Sequence, residues 1–386
     1  MKFIKLFESF KEIENIVLIG AGISSLYAVY LIKKRFPKIK YTIIEKSDKC
    51  GGRVIQDELD GIDVPTGAQF TRIDKDKTLN KLLKELEIDL DTYNLNIDFT
   101  FRTSDVDSMI AKLKKNMSKF DRSKMTFSKF ATEVLGKKDY SKFVDMMGYS
   151  DYENADFQDT MTNYGLDDNR PGYEAANVPW NKVIKKLVSE IGEENIVLNT
   201  EIKSIKKEKS KFTINNEWKC DGVIIGVTIN SLRKLMDDSI YNQIESQNFL
   251  KVFAKTTGME DVDKYTVVNS PLKKVLPVKK GVFTIAFADN DDARYLKSKD
   301  KSYFEKSLSE QFNSEVKIKK MKKFFWEEGT HFFKPLQNKW KSRKEFLKEA
   351  QHPQDNIWVI GEVVAEKQGW VEGALNSVEN ISLFKK

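Results

Sequence analysis

The chain has 386 residues, 40% of them hydrophobic and 32% charged, and a formal net charge of +7. That length supplies two or three domains' worth of material, and the composition excludes a disordered chain. No apolar run reaches the ~20 residues needed to span a bilayer, and two cysteines with two histidines leave no disulfide framework or zinc cluster to build.

Residues 1–12 carry apolar side chains at positions 3, 4, 6, 7 and 10, interrupted by Lys5, Glu8, Lys11 and Glu12. This pattern predicts a short amphipathic helix packed on the body, and it lacks the h-region of a signal peptide. With only Cys50 and Cys220, the reading is a reducing, cytoplasmic compartment. Next comes "NIVLIGAGISSLYAVYLIKK", an apolar strand broken by glycines and followed by a helical pattern. Gly20-Ala21-Gly22-Ile23-Ser24-Ser25 forms G-x-G-x-x-S. The first glycine permits the turn, the second admits a pyrophosphate, and the helix start offers free N–H groups and a positive dipole end. Ser25 stands where Gly or Ala is usual.

The segment "KYTIIEK" is a second strand ending at Glu45 and Lys46. Glu45 lies 45 − 22 = 23 residues beyond the second glycine, where an acid accepts hydrogen bonds from a ribose. A short loop then leads to Gly51-Gly52-Arg53, and after it to Gly67-Ala68-Gln69-Phe70. Paired glycines let backbone amides crowd a planar ligand, and Arg53 presents a fork of donors. At the other end of the chain, "NIWVIGEVVAEKQGWVEGALNSVENI" reads as a strand, Gly361-Glu362, and a helix opening at Gly369-Trp370-Val371 and running through Ala374.

These segments together resemble the FAD-dependent amine oxidase superfamily, which includes monoamine and polyamine oxidases, protoporphyrinogen oxidase and carotenoid desaturases. The resemblance implies that Gly51-Gly52-Arg53 wraps the diphosphate and flavin end of FAD, and that Gly67–Phe70 lies under the flavin. It implies that Gly361-Glu362 follows the ribityl and diphosphate chain. The helix after Gly369 would point at the flavin N1–C2 edge, where its dipole stabilises the reduced cofactor. Ile202, in "LNTEIKSI", matches the position that meets the adenine. Some family members attach flavin through a Cys just before the C-terminal motif. No Cys lies there, so noncovalent FAD is expected.

The expected fold class is α/β: a discontinuous Rossmann-type FAD-binding domain (13–75, 176–235 and 350–386) with a smaller α+β mixed-sheet substrate domain (76–175 and 236–349). In the latter, Phe127, Phe130, Phe143, Met146 and Met147 are core candidates, and "GVFTIAFAD" reads as a strand. By the resemblance, Lys251 in "NFLKVFAKTTG" would hold a water beside flavin N5. Trp326, with His331 and Phe333 as the second aromatic, would line the substrate cavity.

The function so implied is hydride transfer from an amine carbon to flavin N5, with reoxidation by O2 giving hydrogen peroxide. A related desaturase or C–C oxidase, or a shortened oxidase fold acting as a binding module, shares the same motifs. The runs "PLKKVLPVKK" and "VKIKKMKKFFW" read as a solvated face, with no nucleic-acid partner expected. They argue mildly against a polyamine substrate, which favours an acidic funnel.

Overall fold

A computed structural model describes residues 13–164, 166 and 172–385, so the helix expected over 1–12 lies outside the described residues. In chain order, β1 (Asn15–Ile19) runs into α1 (Ile23–Arg35) and β2 (Lys40–Ile44). After α2 (Lys77–Glu85) and α3 (Trp180–Ile191) come the short strands β3 (Ile196–Val197) and β4 (Gly222–Ile225). The long strands β5 (Ile244–Thr257), β6 (Val282–Asp289) and β7 (Lys317–Phe333) follow. Strand β8 (Ile357–Val359) and helix α4 (Val371–Glu379) close the chain.

Five of these strands form a parallel sheet in the order β8-β4-β1-β2-β3. Its central strands read as unbroken apolar runs because helices and side chains cover both faces. Residues Ile16 to Ile19 of β1 and all of β4 are buried. Helix α1 is buried from Ile23 to Ile32 between α3 and α4, and only its last turn, Lys33-Lys34-Arg35, reaches solvent. Those three cations sit at the negative end of the helix dipole.

The chain leaves β1 toward β2 on one side and returns as β4 on the other. That reversal opens a crevice at the carboxyl ends of β1 and β4, the usual ligand position in an open α/β sheet. The crevice is tight at its base. Gly20 N donates to Ile44 O at 2.8 Å and Gly226 N donates to Ile19 O at 2.9 Å. Gly20 has φ +92°, and a Cβ there would stand 2.6 Å from Gly226 O.

A six-stranded mixed sheet faces the crevice. Its order runs β7-β5-β6, then Lys274–Lys279, Tyr265–Val267 and Ile97–Phe99. Strand β5 pairs antiparallel with both β6 and β7 and is almost wholly buried along Phe249–Ala254. Strand β7 is an edge, and its Lys317, Lys319, Lys320, Lys322 and Lys323 are exposed. Charged side chains on an exposed edge discourage further strand pairing. Helices between residues 106 and 147 pack Phe127, Phe130, Phe143 and Met147 into a separate aromatic core with Tyr152 and Phe157. Among the described residues, no helix is long and apolar enough to cross a membrane, and no His/Cys/Asp/Glu group could hold a metal.

Candidate active site

A cleft of about 620 Å³ runs from the crevice to the inner face of the mixed sheet. Its volume falls within the range of small-molecule sites. The dinucleotide end is made of backbone. Helix α1 has no side-chain cap, so the N–H groups of its first turn point out without an intrahelical partner. Gly22, Ile23 and Ser24 line the cleft there. Gly22 has an ordinary φ of −70°, yet a Cβ on it would meet nothing within 4 Å. The space beside it is open on the ligand side. Glu45 closes the turn: its Oε2 accepts from Ala21 N at 2.7 Å, and its Oε1 accepts from Ser47 N at 2.9 Å and Ser47 Oγ at 2.8 Å. Lys46, Gly51, Gly52 and Ile202 complete this end. Glycines that admit close approach, free amides and an acid at the second strand suit a dinucleotide diphosphate and ribose.

The middle of the cleft joins the two ends of the chain. Arg53 Nη1 donates to Gly329 O at 2.9 Å and to Glu362 Oε2 at 3.0 Å. Glu362 is buried and also accepts from His331 N at 2.9 Å, Gly369 N at 2.8 Å and the ring Nδ1 of His331. Burial opposes its ionisation, but His331 and the Arg53 guanidinium hold its carboxyl well below the usual range. Gly67, Ala68, Gln69, Phe70, Gly361, Gly369, Trp370, Val371 and Ala374 line this stretch. Trp370 meets Phe70 edge-on at 5.7 Å and lies 3.9 Å from the Arg72 guanidinium. Helix α4 starts here without a side-chain cap, and its first-turn Glu372 instead accepts from Thr78 N and Leu79 N at the start of α2.

At the far end, Lys251 projects from the centre of β5 and is 2% exposed. Its Nζ donates to Gly67 O at 2.7 Å, Pro65 O at 3.3 Å and Gln69 Oε1 at 3.4 Å. Burial pushes its ammonium down to about 7. A lysine so placed gains or loses a proton near neutral pH. Trp326 Nε1 donates to Thr66 O at 2.8 Å and fixes the indole against the same loop.

Three expected residues are placed elsewhere. Ser25 is fully buried, and its Oγ stands 2.3 Å from where a Cβ of Gly226 would lie. It packs helix to strand and does not line the cleft. His331 was expected in the substrate cavity but lies beneath it, 3% exposed. Its neighbour Thr330 lines the cleft, and successive strand residues face opposite sides. The His331 Nε2 accepts from Ile229 N at 3.1 Å, so the proton sits on Nδ1 and is donated to Glu362. Phe333, two residues on, shares that face and packs on Phe346 and Arg343 in the core.

Sequence reasoning missed much of the far wall. Met147, Tyr149, Asp151, Tyr164, Phe249, Tyr265, Leu276 and Phe287 all line the cleft. Phe249 lies within the segment already singled out around Lys251, Phe287 in the strand "GVFTIAFAD" and Met147 among the core candidates; the others carry no local motif.

The NAD(P)-binding Rossmann-like domain family matches residues 18–86, the stretch that builds the cradle. Solved structures of putrescine oxidase, two of which follow, are similar over nearly the whole chain. Putrescine oxidase bound to putrescine superposes with a TM-score of 0.74 at 15% identity, covering 96% of this chain and 98% of that one. The chain has the fold of putrescine oxidase. A putrescine oxidase variant made in a redesign of cofactor binding gives the same TM-score, identity and coverage. No curated protein matches the chain by sequence.

Proposed function

We propose that the chain is an FAD-dependent oxidoreductase acting on a small amine, with FAD held noncovalently and dioxygen as electron acceptor. The observation that carries this reading is one cleft shared by the uncapped start of α1 and the buried Nζ of Lys251. The putrescine oxidase fold supports it.

In this reading segments 13–75, 176–235 and 350–386 form the FAD-binding unit, and 76–175 with 236–349 the substrate unit. The amides around Gly20, Gly22, Ile23 and Ser24 hold the diphosphate. Glu45 and Lys46 face a ribose, and Ile202 meets the adenine. Arg53, Gly67–Phe70, Gly361, Glu362 and the start of α4 hold the flavin end. Bound FAD would supply two-electron acceptance from the amine and return of those electrons to dioxygen as hydrogen peroxide.

The chain's own residues contribute position, dryness and a proton site. Trp326, Phe249 and Phe287 exclude water from the far wall and favour a neutral or cationic amine against their faces. Glu362 and Arg53 tie β7 at Gly329 to the C-terminal motif. His331 positions Glu362 and touches neither substrate nor cofactor. Lys251 Nζ holds or releases a proton beside the Gly67–Gln69 loop.

The test is the visible spectrum of the purified protein before and after anaerobic mixing with amines. A flavin spectrum that bleaches supports the proposal. A flavin that no amine bleaches would move the reading to a desaturase or other C–C oxidation. No flavin uptake from added FAD would end the enzyme reading.

A further inference from the structure

Lys251 Nζ has unlike neighbours. One is aromatic: the Phe287 ring centre lies 4.6 Å away, and Phe249 stands 5.4 Å from Phe287. The others are the polar groups of residues 65–69, where Nζ donates to Gly67 O at 2.7 Å, Pro65 O at 3.3 Å and Gln69 Oε1 at 3.4 Å. Two of these acceptor residues, Pro65 and Gln69, also line a second cavity of about 370 Å³. It is bounded by the hairpin of Gln56–Leu59 and Ile62–Pro65, by Asn177 and by Val278 and Lys279. Asp63, Asn177 and Lys279 are exposed, so this cavity opens to solvent. Gln69 is the residue common to both cavities. Its side chain reaches from Nζ to the rim, where its Nε2 donates to Asn177 Oδ1 at 3.3 Å. Both of its contacts are long for hydrogen bonds and hold the amide weakly.

We propose that the second cavity is a solvent port for Lys251, gated by the Gln69 side chain, through which Nζ exchanges its proton with water while the cleft is occupied. This rests on the oxidase reading, which gives Lys251 a proton to hold or release. Reduction of dioxygen to hydrogen peroxide takes two electrons and two protons. The reduced cofactor supplies both electrons and one proton, and Lys251 Nζ supplies the other. The neutral amine left behind then takes a proton back from water. Burial holds the ammonium near 7, so both forms are populated at neutral pH. The return proton needs a wet path, and the aromatic side of Nζ gives none. The second cavity gives one: amides at its base and rim, with Asp63 and Lys279 in contact with solvent. Rotation of one weakly held side chain, Gln69, would bring that water to Nζ without moving the backbone.

The experiment measures how fast cyanate carbamylates Lys251 in the FAD-loaded protein at about pH 8, by peptide mapping in a mass spectrometer, with the exposed Lys38 as internal reference. Cyanate is small and modifies only the uncharged amine, so it reports access to Nζ without turnover. Val278→Trp fills the second cavity and leaves the cleft lining intact, and Asn177→Ala removes the hold on Gln69. The expected results are opposite in sign. Labelling of Lys251 falls several-fold in Val278→Trp and rises about threefold or more in Asn177→Ala, the worth of one hydrogen bond, with Lys38 unchanged in both. Reoxidation of the dithionite-reduced protein by dioxygen should slow in Val278→Trp as the labelling does. Labelling of Val278→Trp at the wild-type rate would mean access through the cleft and overturn the port. Slower labelling with reoxidation unchanged would overturn proton exchange through it. If Val278→Trp does not fold, Asn177→Ala decides, and labelling no faster than wild type overturns the port. Failure of the wild type to take up FAD would instead overturn the oxidase reading, and the role of the port with it.

Discussion

At its dinucleotide end the cleft is built chiefly from one short, contiguous stretch of chain, β1 through Gly52, joined by Ile202 and sealed by the C-terminal motif. At its far end it is lined by side chains from strands and loops widely separated in sequence: Tyr149, Phe249, Phe287 and Trp326. The first region recognises a ligand through amide N–H groups and glycine space, which every dinucleotide shares. The second does so through shape and charge, which each substrate sets anew. The difference teaches that the cofactor end tolerates little change in backbone geometry, and the substrate end tolerates much change in side-chain identity.

The largest expected effect comes from breaking the backbone end without disturbing the fold. Gly22→Val fits the local φ and its Cβ would meet no protein atom within 4 Å, so the side chain grows into ligand space. Flavin content, read from visible absorbance, should fall to below about a tenth while the melting temperature of the apoprotein holds. Flavin retained at wild-type occupancy would place the diphosphate elsewhere.

Phe333→Ala sharpens the boundary of the far end. Phe333 is core, packed on Phe346, so the variant should lose about 3 kcal/mol of unfolding free energy, measured by denaturant titration. Amine efficiency per bound flavin should remain near wild type. A selective loss of amine efficiency would return Phe333 to the substrate wall.

Lys251→Met probes the point where the two regions meet. Stopped-flow reoxidation by dioxygen should slow by about tenfold or more with flavin retained. The same variant carries a stability signature. The buried ammonium sits at about 7 against an ordinary 10.5, so the cost of burying it is full below pH 7 and disappears as the pH climbs toward 10.5. Lys251→Met should therefore be the more stable protein in acid and near neutrality, by an amount that shrinks from pH 7 to 10.5. A gain that does not depend on pH would mean that Lys251 is not buried as an ammonium.

The smallest effect is expected from Trp326→Phe. It removes the Nε1 bond to Thr66 O and keeps an aromatic face. Amine KM should rise by about threefold with little change in the limiting rate. A fall in the limiting rate instead would give Trp326 a part in the chemistry.

The cradle was legible in the sequence because its recognition is local. Gly20, Gly22, Glu45 and Gly51-Gly52-Arg53 have their meaning from spacing within one βαβ unit. Gly361–Ala374 was legible through a second local motif. Lys251 was legible through the resemblance of "NFLKVFAKTTG" to a family strand, since a lysine among apolar strand residues can equally face solvent on an edge. His331 and Phe333 were misplaced because spacing alone does not reveal which side of β7 faces the cleft. The register there also shifts between Gln247 and Phe249, so counting along the strand from Trp326 does not carry across it. Tyr149, Asp151 and Phe287 went unseen because nothing local sets them apart from core or turn residues.

By itself, then, the sequence determined a dinucleotide cradle, its closing motif at the far end of the chain and a lysine on an apolar strand. Each follows from contiguous residues whose backbone demands and burial costs are written in their order. Only the tertiary structure decided which face of β7 meets the cleft, that Glu362 is held by Arg53 and His331, and that Tyr149, Asp151 and Phe287 share the far wall of the cleft. Those depend on strand register and on packing between distant segments, which a linear pattern does not encode.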